Sequence, residues 1–289
     1  MEALVERELT EPWEGLLCTP DGDDSGAGVL VLAGSSGRVD RERARLLARA
    51  GLTALAIRWF GGPGQPPGIC EVPLETFTAA IDLLQRRGVR RIGVLGSSKG
   101  AEAALLTAVH APRVDAVVAI SPTSLVWSNV GPGLDGAERP YRSCWTWQGR
   151  PLPFVPMDET WTPTESPGRP VAVRGAYEQA ARTFPDALPP AAIPVEHTRA
   201  DLLLVAGGDD AMWPSAPFAE QLAARRRAAG LPSRLVHHPA AGHRPRLPGE
   251  PLFPASPTYA YGGTPEADAL LGAAAWPHIV EVLTTSRMR

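Results

Sequence analysis

The sequence predicts an α/β fold in which a mostly parallel β-sheet is covered by helices on both faces. Apolar runs of strand length alternate with segments of helical periodicity between residues 28 and 283. Strands separated by helices need crossover connections, which make neighbouring strands parallel. The runs are apolar at successive positions, as is typical of strands buried on both faces. At 289 residues and 44% hydrophobic, the chain can build one large core, and we expect residues 1–289 to form a single domain.

The predicted elements follow one another from the N-terminus. A short apolar pattern at residues 15–20 predicts an edge strand before a polar turn. The apolar runs that predict the sheet strands are residues 28–33, 52–57, 91–95, 114–120, 202–206 and 234–237. Helical spacing is found at residues 40–50, 74–88, 101–110, 218–229 and 266–283. Gly51 and Gly88 lie at the ends of the first two helices, where glycine is a common cap.

The alternation breaks between Ser121 and Val195. This segment holds 13 of the 31 prolines and four of the eight tryptophans, and proline at that density prevents long helices and central strands. Because it lies between two predicted strands, we interpret residues of about 122–195 as an insertion over the carboxyl edge of the sheet. Long irregular segments are often lids or binding loops. We favour a lid over a surface excursion, and expect Trp127 to contact substrate.

The segment Gly96-Ser97-Ser98-Lys99-Gly100 lies between a predicted strand and a predicted helix. Gly-x-Ser-x-Gly in this context is typical of the nucleophile elbow of α/β-hydrolases. The tight turn leaves little room for side chains two residues before and two after the serine. Gly96 and Gly100 meet that condition when Ser98, and not Ser97, is the nucleophile. Lys99 is the only lysine in the sequence, and the sequence gives no physical reason for it.

An acid and a base follow the elbow in the order that α/β-hydrolases use. A serine hydroxyl needs a base to take its proton, and the base needs an acid to fix its tautomer. Asp209 and Asp210 come after one predicted strand, and His243 follows the next strand, which gives the order Ser, Asp, His. Asp210 is preferred because it lies three residues after Gly207, and Asp209 remains the alternative.

Other titratable residues are weaker candidates. Asp115 begins its strand and therefore lies at the opposite edge of the sheet from the elbow. We interpret the remaining histidines as structural or surface residues: His110, His197, His237, His238 and His278.

An oxyanion that forms on the substrate needs two backbone N–H donors, one after the nucleophile and one after an early strand. Lys99 supplies the first donor, and Ser35, in the loop after strand 28–33, is the best candidate for the second. We assign Ser36 and Trp213 to substrate contact. A phosphate-binding loop is a weak alternative here, because neither Gly-Lys-Ser/Thr nor a full Gly-x-Gly-x-x-Gly is present.

Charge and composition exclude several classes of function. A net charge of −3 gives no electrostatic basis for nucleic-acid binding, and the arginine runs at 41–49, 86–91 and 225–227 are interpreted as solvated helix faces. No stretch reaches the roughly 18 apolar residues of a membrane span, and the N-terminus lacks the pattern of a signal peptide. The three cysteines are widely spaced, so no disulfide framework, metal site or other cofactor is expected and a cytoplasmic location is predicted.

Several motifs together resemble the C-terminal catalytic domain of the acyl-CoA thioesterase and bile-acid-CoA:amino-acid N-acyltransferase family, which is dienelactone-hydrolase-like. The resemblance spans roughly residues 26–285. The motifs that carry it are Gly-x-Ser-Lys-Gly at the elbow, Ile193-Pro194-Val195-Glu196, Asp209-Asp210-x-x-Trp213-x-Ser215, Gly242-His243, Tyr261-Gly262-Gly263 and Ala275-Trp276. It implies the triad Ser98, Asp210 and His243. It also suggests that Glu196 either orients the site or forms an ordinary salt bridge.

The resemblance implies hydrolysis of a small-molecule acyl thioester, such as an acyl-CoA, through an acyl-serine intermediate. The family's aminotransferring branch commonly has cysteine at the elbow, so Ser98 resembles the hydrolysing branch. Three alternatives stay open: an ester or dienelactone-type hydrolase, an acyltransferase to an amine or alcohol, and a catalytically silent binding protein on the same fold. The sequence does not predict the oligomeric state.

Overall fold

A computed structural model describes residues 4–22 and 25–285 of the chain. In this part of the chain there are eleven strands and seven α-helices. The strands are β1 Leu4–Leu9, β2 Gly15–Pro20, β3 Ala27–Leu32, β4 Thr53–Ile57, β5 Val72–Pro73, β6 Arg91–Ser97, β7 Ala116–Ile120, β8 Trp145–Trp147, β9 Arg150–Pro151, β10 Asp201–Gly207 and β11 Arg234–His238. The helices are α1 Arg41–Arg49, α2 Glu75–Arg86, α3 Lys99–His110, α4 Arg174–Thr183, α5 Leu188–Ala191, α6 Ser215–Ala228 and α7 Pro265–Thr284.

Eight strands form the central sheet in the order β1-β2-β4-β3-β6-β7-β10-β11. The six strands from β4 to β11 in this order are parallel, and β1 and β2 are antiparallel to their neighbours. The prediction of a mostly parallel sheet is therefore confirmed. Since parallel strands end at the same edge, the loops after β3, β6, β10 and β11 meet there.

Helices cover both faces of the sheet because successive strand residues point to opposite sides. On β3, Leu30 and Leu32 belong to the core cluster that contains residues of α2, α3 and α6, whereas Val29 and Val31 belong to the cluster that contains residues of α1 and α7. All six residues of β3 are buried. The continuous apolar runs in the sequence are thus explained by strands that are buried on both faces.

The N-terminal edge of the sheet differs from the sequence prediction. Residues 15–20 were expected to form the edge strand, but β2 is second from the edge because β1 pairs with it over its full length. The strand β1 was missed because four of its six residues are exposed and three are charged, so no apolar pattern marks it. Charged residues on an edge strand disfavour pairing with another chain.

Two arginines contradict the interpretation of the arginine runs as solvated helix faces. Arg43 on α1 is 4% exposed and Arg226 on α6 is 1% exposed. The Arg226 guanidinium donates to several backbone carbonyls, among them those of Val195 and Ala200. A buried guanidinium needs such partners to offset the loss of water, and their arrangement depends on tertiary contacts that the sequence pattern does not contain.

The segment between β7 and β10 crosses the carboxyl edge of the sheet. It contains β8, β9, α4 and α5, and β8 pairs with β5 to form a small second sheet. Trp145 packs against Trp59 and Phe77, with ring centroids 5.4 and 6.0 Å away. The insertion is therefore attached to the core by its aromatic residues, and its movement as a lid stays a prediction.

Candidate active site

Ser98 lies at a sharp turn between β6 and α3. Its φ of 56° and ψ of −122° fall in a region that residues with a side chain rarely adopt. The flanking glycines explain how the turn is built. A Cβ on Gly96 would lie 2.0 Å from the Gly100 carbonyl oxygen, and a Cβ on Gly100 would lie 2.4 Å from that of Leu32. Both glycines are therefore required sterically, which is the geometry of a nucleophile elbow.

Asp210 and His243 form a buried hydrogen-bonded pair. His243 Nδ1 lies 2.8 Å from Asp210 Oδ2, and both side chains are almost fully buried. The second carboxylate oxygen accepts from the backbone N–H groups of Met212 and Trp213, at 2.8 and 3.2 Å. Because an ionised carboxylate only accepts hydrogen bonds, the pairing assigns the proton to Nδ1 and leaves Nε2 as an acceptor.

Asp209, the alternative acid, points elsewhere. Its Oδ2 accepts from the backbone N–H of Gly263 at 2.9 Å. The structure therefore brings Asp210, and not its neighbour, to His243. Asp209 instead connects its loop to the segment that precedes α7.

The His243 loop is held in place from three sides. Its backbone N–H donates to the Tyr261 carbonyl at 2.8 Å, and its carbonyl accepts from the Ser121 hydroxyl at 2.9 Å. The preceding residue, Gly242, donates its N–H to the Asp268 carboxylate at 2.7 Å. The position of the imidazole is thus fixed by backbone contacts as well as by Asp210.

Ser98 and His243 both line a cavity of about 730 Å³ at the carboxyl edge of the sheet. Among residues 25–285, no hydrogen bond joins the Ser98 hydroxyl to the imidazole. Catalytic hydrogen bonds of this type are often long and tighten only when the substrate is bound. The arrangement offers a serine at a strained turn, an imidazole nitrogen free to accept a proton, and a carboxylate behind it.

The expected oxyanion donors lie beside Ser98. Lys99 is the first residue of α3, so its N–H has no acceptor within the helix. Across the gap, a Cβ on Gly34 would lie 3.1 Å from Ser98 Cβ, which places the loop after β3 against the elbow. Ser35 and Ser36 follow Gly34 in that loop and line the cavity.

The two tryptophans assigned to substrate contact have different positions. Trp213 lines the cavity, and its Nε1 donates to the Ser121 carbonyl at 3.1 Å. Trp127 is not among the residues that line the cavity: it is fully buried, and its Nε1 donates to the Thr123 hydroxyl at 2.9 Å. Trp161, in the same insertion, does line the cavity. The sequence places all three in or near the insertion but does not indicate which ring faces inward.

Apolar and aromatic side chains form much of the cavity wall. Many of them come from the insertion, and most were not identified from the sequence. Among them are Met157, Trp161, Tyr177, Met212 and Tyr259.

The side chain of Lys99 is buried and paired. Its Nζ lies 2.9 Å from Glu102 Oε2 and 3.4 Å from the Cys144 sulfur. Burial by itself lowers the pKa of Lys99, but the Cys144 and Glu102 groups raise it above its ordinary value. Burial raises the pKa of Cys144 to about 12. Since the thiol is then protonated at neutral pH, the Glu102 carboxylate is the charge that keeps Lys99 ionised. The i,i+3 spacing of Lys99 and Glu102 was a signal in the sequence for this pair.

Arg43 contacts the elbow from the other side. Its Nη1 donates to the Ser97 hydroxyl at 2.6 Å, and its Nε donates to Glu250 at 2.8 Å. It also lines the cavity. A buried charge network therefore fixes the residue before Ser98, and it joins α1 to a loop more than 200 residues away in sequence.

The remaining candidates lie outside the cavity. Glu196 pairs with Arg225 at 2.9 Å, so it forms an ordinary salt bridge and does not reach the site. His110 stacks on Trp147, with ring centroids 5.0 Å apart, and burial lowers its pKa. His237 is exposed on β11, at the edge of the sheet.

The described residues, 4–22 and 25–285, contain three cysteines and seven α-helices. In this part of the chain, no group of three or more histidine, cysteine or acidic residues is arranged to hold a metal ion. Cys18, Cys70 and Cys144 are free and buried. None of the described helices combines the length and the hydropathy that crossing a bilayer requires.

Comparison with known proteins agrees with the motifs of the site. The family model described as "BAAT / Acyl-CoA thioester hydrolase C terminal" matches residues 72–286. The chain belongs to this family. The matched region includes Ser98, Asp210 and His243, together with the insertion and α7.

Curated relatives include acyltransferases and thioesterases. Bile acid-CoA:amino acid N-acyltransferase of Mus musculus is 27% identical over 279 residues, which cover 93% of this chain and 62% of that protein. Acyl-coenzyme A thioesterase 1 of Homo sapiens is 27% identical over 279 residues, which cover 92% and 61%. The chain thus spans about three-fifths of the length of these relatives.

Solved structures have the same fold. A Klebsiella pneumoniae protein assigned as a dienelactone hydrolase aligns with a TM-score of 0.59 at 17% identity, and the alignment covers 98% of this chain and 100% of that chain. An esterase from Pyrococcus furiosus aligns with a TM-score of 0.54 at 14% identity, covering 98% and 90%. The prediction of an α/β-hydrolase fold is therefore confirmed.

Proposed function

We propose that this member of the family is a serine hydrolase that cleaves the thioester of an acyl-CoA through an acyl-Ser98 intermediate. The observation that carries the proposal is the convergence of Ser98, at a strained elbow, and the His243–Asp210 pair on one cavity. Family membership supports a hydrolase or acyltransferase acting on acyl-CoA. The apolar wall formed by the insertion supports an acyl group as the part of the substrate that enters.

The proposed acylation step uses the imidazole as a base. Ser98 Oγ attacks the thioester carbonyl carbon while its proton passes to Nε2 of His243, and the carbonyl oxygen becomes an oxyanion. The oxyanion accepts hydrogen bonds from the N–H groups of Ser35 and Lys99. When the intermediate collapses, the carbon–sulfur bond breaks and the thiolate takes the proton from the imidazolium.

Deacylation repeats this sequence with water. The imidazole removes a proton from a water molecule, the hydroxide attacks the acyl-serine, and the free acid leaves as Ser98 recovers its proton. Asp210 stays ionised throughout, where it holds the imidazole in the required tautomer and stabilises the imidazolium.

The first experiment measures the release of free thiol from short- and medium-chain acyl-CoA. Wild type is compared with Ser98→Ala and His243→Gln, and the exposed edge-strand substitution His237→Gln is the matched control. We expect the first two variants to lose at least about 10³-fold in kcat, as triad members do, and the control to match wild type. Comparable thiol release by Ser98→Ala and wild type would remove the assignment.

The intermediate can be observed directly. Rapid quenching during turnover, followed by mass spectrometry of the peptide that contains Ser98, should show the added mass of the acyl group. A fluorophosphonate serine probe should label the same residue in the folded protein. Failure of the probe to label folded wild type would favour a silent binding protein. Turnover of a thioester and an oxygen ester with the same acyl group separates the proposal from an ester hydrolase.

A second candidate function is acyl transfer to an amine. It is favoured by the names of curated relatives, which include two acyl-coenzyme A amino acid N-acyltransferases of Rattus norvegicus and Mus musculus. In this case an amine replaces water in the second step, and an amide is formed. Added amino acid should then divert acyl groups from free acid to amide, with the same loss in the Ser98→Ala variant. Unchanged free-acid yield at high acceptor concentration would exclude it.

A further inference from the structure

The charged side chains that line the cavity are distributed unevenly. On the insertion, Glu138, Asp158 and Glu159 contribute negative charge. On the loops after β3 and β11, Arg38 and Arg244 contribute positive charge. Among the described residues that line the cavity, the one carboxylate on these loops, that of Asp40, lies 3.9 Å from Arg43. Arg38 and Arg244 follow the oxyanion loop and His243 directly in sequence, so they belong to the side of the cavity where the chemistry takes place.

Most other cations of the cavity are neutralised by carboxylates. Arg43 pairs with Glu250, and Arg139 pairs with Glu159. In contrast, within residues 25–285 no carboxylate forms an ion pair with Arg38 or with Arg244. Two arginines on one wall without an acidic partner leave positive charge available for a ligand.

Arg244 is held in a fixed position by aromatic rings. Its guanidinium lies 3.3 Å from the Tyr261 ring centroid and 5.8 Å from that of Phe253. Burial lowers the pKa of Arg244, and the charge of Arg38 lowers it further. Both guanidinium groups line the same cavity, and an anion bound there would offset their like charges.

We propose that Arg38 and Arg244 form an anion subsite of the active-site cavity, which binds a phosphate or carboxylate group of the thioester substrate. The inference rests on the proposed thioester cleavage and adds the part of the substrate that these residues recognise. A planar guanidinium suits both anions because it donates two parallel hydrogen bonds. The apolar wall lies on the insertion, so the substrate is oriented with its apolar part there and its anionic group at the arginine pair.

The anion has two possible sources, and the substrates in the test separate them. The leaving group carries phosphates in coenzyme A and none in N-acetylcysteamine. The acyl group carries a terminal carboxylate in a succinyl thioester and none in a butyryl thioester. Combining these choices gives four substrates, and kcat/KM is measured for each with wild type and with the Arg38→Gln/Arg244→Gln variant.

We expect the double substitution to lower kcat/KM by about 10- to 100-fold for the substrates that carry the recognised anion, as charge-assisted hydrogen bonds do. The neutral butyryl N-acetylcysteamine thioester should be affected by less than about threefold. The control is Arg87→Gln/Arg182→Gln, which removes two exposed charges outside the cavity and should leave all four values unchanged. An equal loss on all four substrates, or no loss on any, would overturn the subsite.

If wild type cleaves no thioester, the proposed function is refuted but the anion subsite is not. A binding measurement tests the subsite in that case. The melting temperature is measured with coenzyme A against pantetheine, and with succinate against its neutral diamide. We expect one of the anionic probes to raise the melting temperature of wild type more than its neutral partner does. The Arg38→Gln/Arg244→Gln variant should lose that difference. If neither anion gives a larger shift than its neutral partner, or if the variant keeps the shift, the subsite is wrong.

Discussion

The buried Lys99–Glu102 ion pair gives a sharp prediction about stability. Lys99 is 3% exposed and Glu102 is fully buried. Glu102 accepts from Lys99 Nζ at 2.9 Å, from Trp145 Nε1 at 2.8 Å and from the Trp127 N–H at 3.1 Å. Removing one charge of such a pair leaves the other buried without compensation, which is far more costly than removing both.

The expected magnitudes follow from these contacts. Glu102→Gln leaves the ammonium of Lys99 facing an amide, and we expect the free energy of unfolding to fall by about 3–5 kcal/mol. Lys99→Met leaves the carboxylate with its two remaining N–H donors, so its loss should lie near the lower end, at about 3 kcal/mol. The double variant keeps those donors and has no unpaired charge. Its free energy of unfolding should therefore exceed the value predicted from the sum of the two single losses by at least about 2 kcal/mol.

Urea unfolding monitored by tryptophan fluorescence measures these values at neutral pH. The matched control is Glu42→Gln on α1, which breaks the i,i+3 pair with Arg45 at an exposed position. That loss should stay below about 1 kcal/mol. If the double variant folds although neither single variant does, that result also shows a large coupling energy between Lys99 and Glu102. Single variants within about 1 kcal/mol of wild type, or strictly additive losses, would refute the reasoning.

Three further predictions concern the site and the core. Asp210→Asn should lower kcat for thiol release by about 10⁴-fold, as the same change does in a known triad, whereas Asp209→Asn should cost less than about tenfold. Gly100→Ala should abolish folding, measured as soluble yield and circular dichroism, because its Cβ would overlap a carbonyl oxygen. By comparison, Gly136→Ala, with φ of 76° and open space, should cost only about 1–2 kcal/mol. Because burial raises the pKa of Cys144 to about 12, maleimide should label it at pH 7 only after unfolding, as mass spectrometry would show.

The parts of the structure that local chemistry determines were predicted from the sequence. Buried parallel strands need apolar residues at every position, so β3 and its neighbours were identified within one or two residues. The elbow was predicted because the tight turn needs glycine two residues before and two residues after Ser98. Asp210 could be preferred over Asp209 from spacing, and the hydrogen bond to His243 agrees with that preference.

Features that depend on contacts between distant segments were not predicted. The ring of Trp127 does not line the cavity, because the fold buries it against Tyr177 and Phe218, which are 50 or more residues away. Arg43 lies in a charged run that is typical of a solvated helix, yet Ser97 and Glu250 provide it with buried partners. The spacing of residues along the chain does not indicate which arginine of such a run will find buried hydrogen-bond partners.

The Tyr261-Gly262-Gly263 motif now has a physical explanation. A Cβ on Gly262 would lie 1.8 Å from the Asp209 carbonyl oxygen, and one on Gly263 would lie 2.2 Å from the Gly242 nitrogen. Backbone of this segment therefore touches the acid loop on one side and the His243 loop on the other. A side chain at either glycine would push on a loop that carries a proposed triad residue. We therefore expect the motif to act as a spacer between the loops of the proposed acid and the proposed base, without contributing a side chain to the proposed reaction.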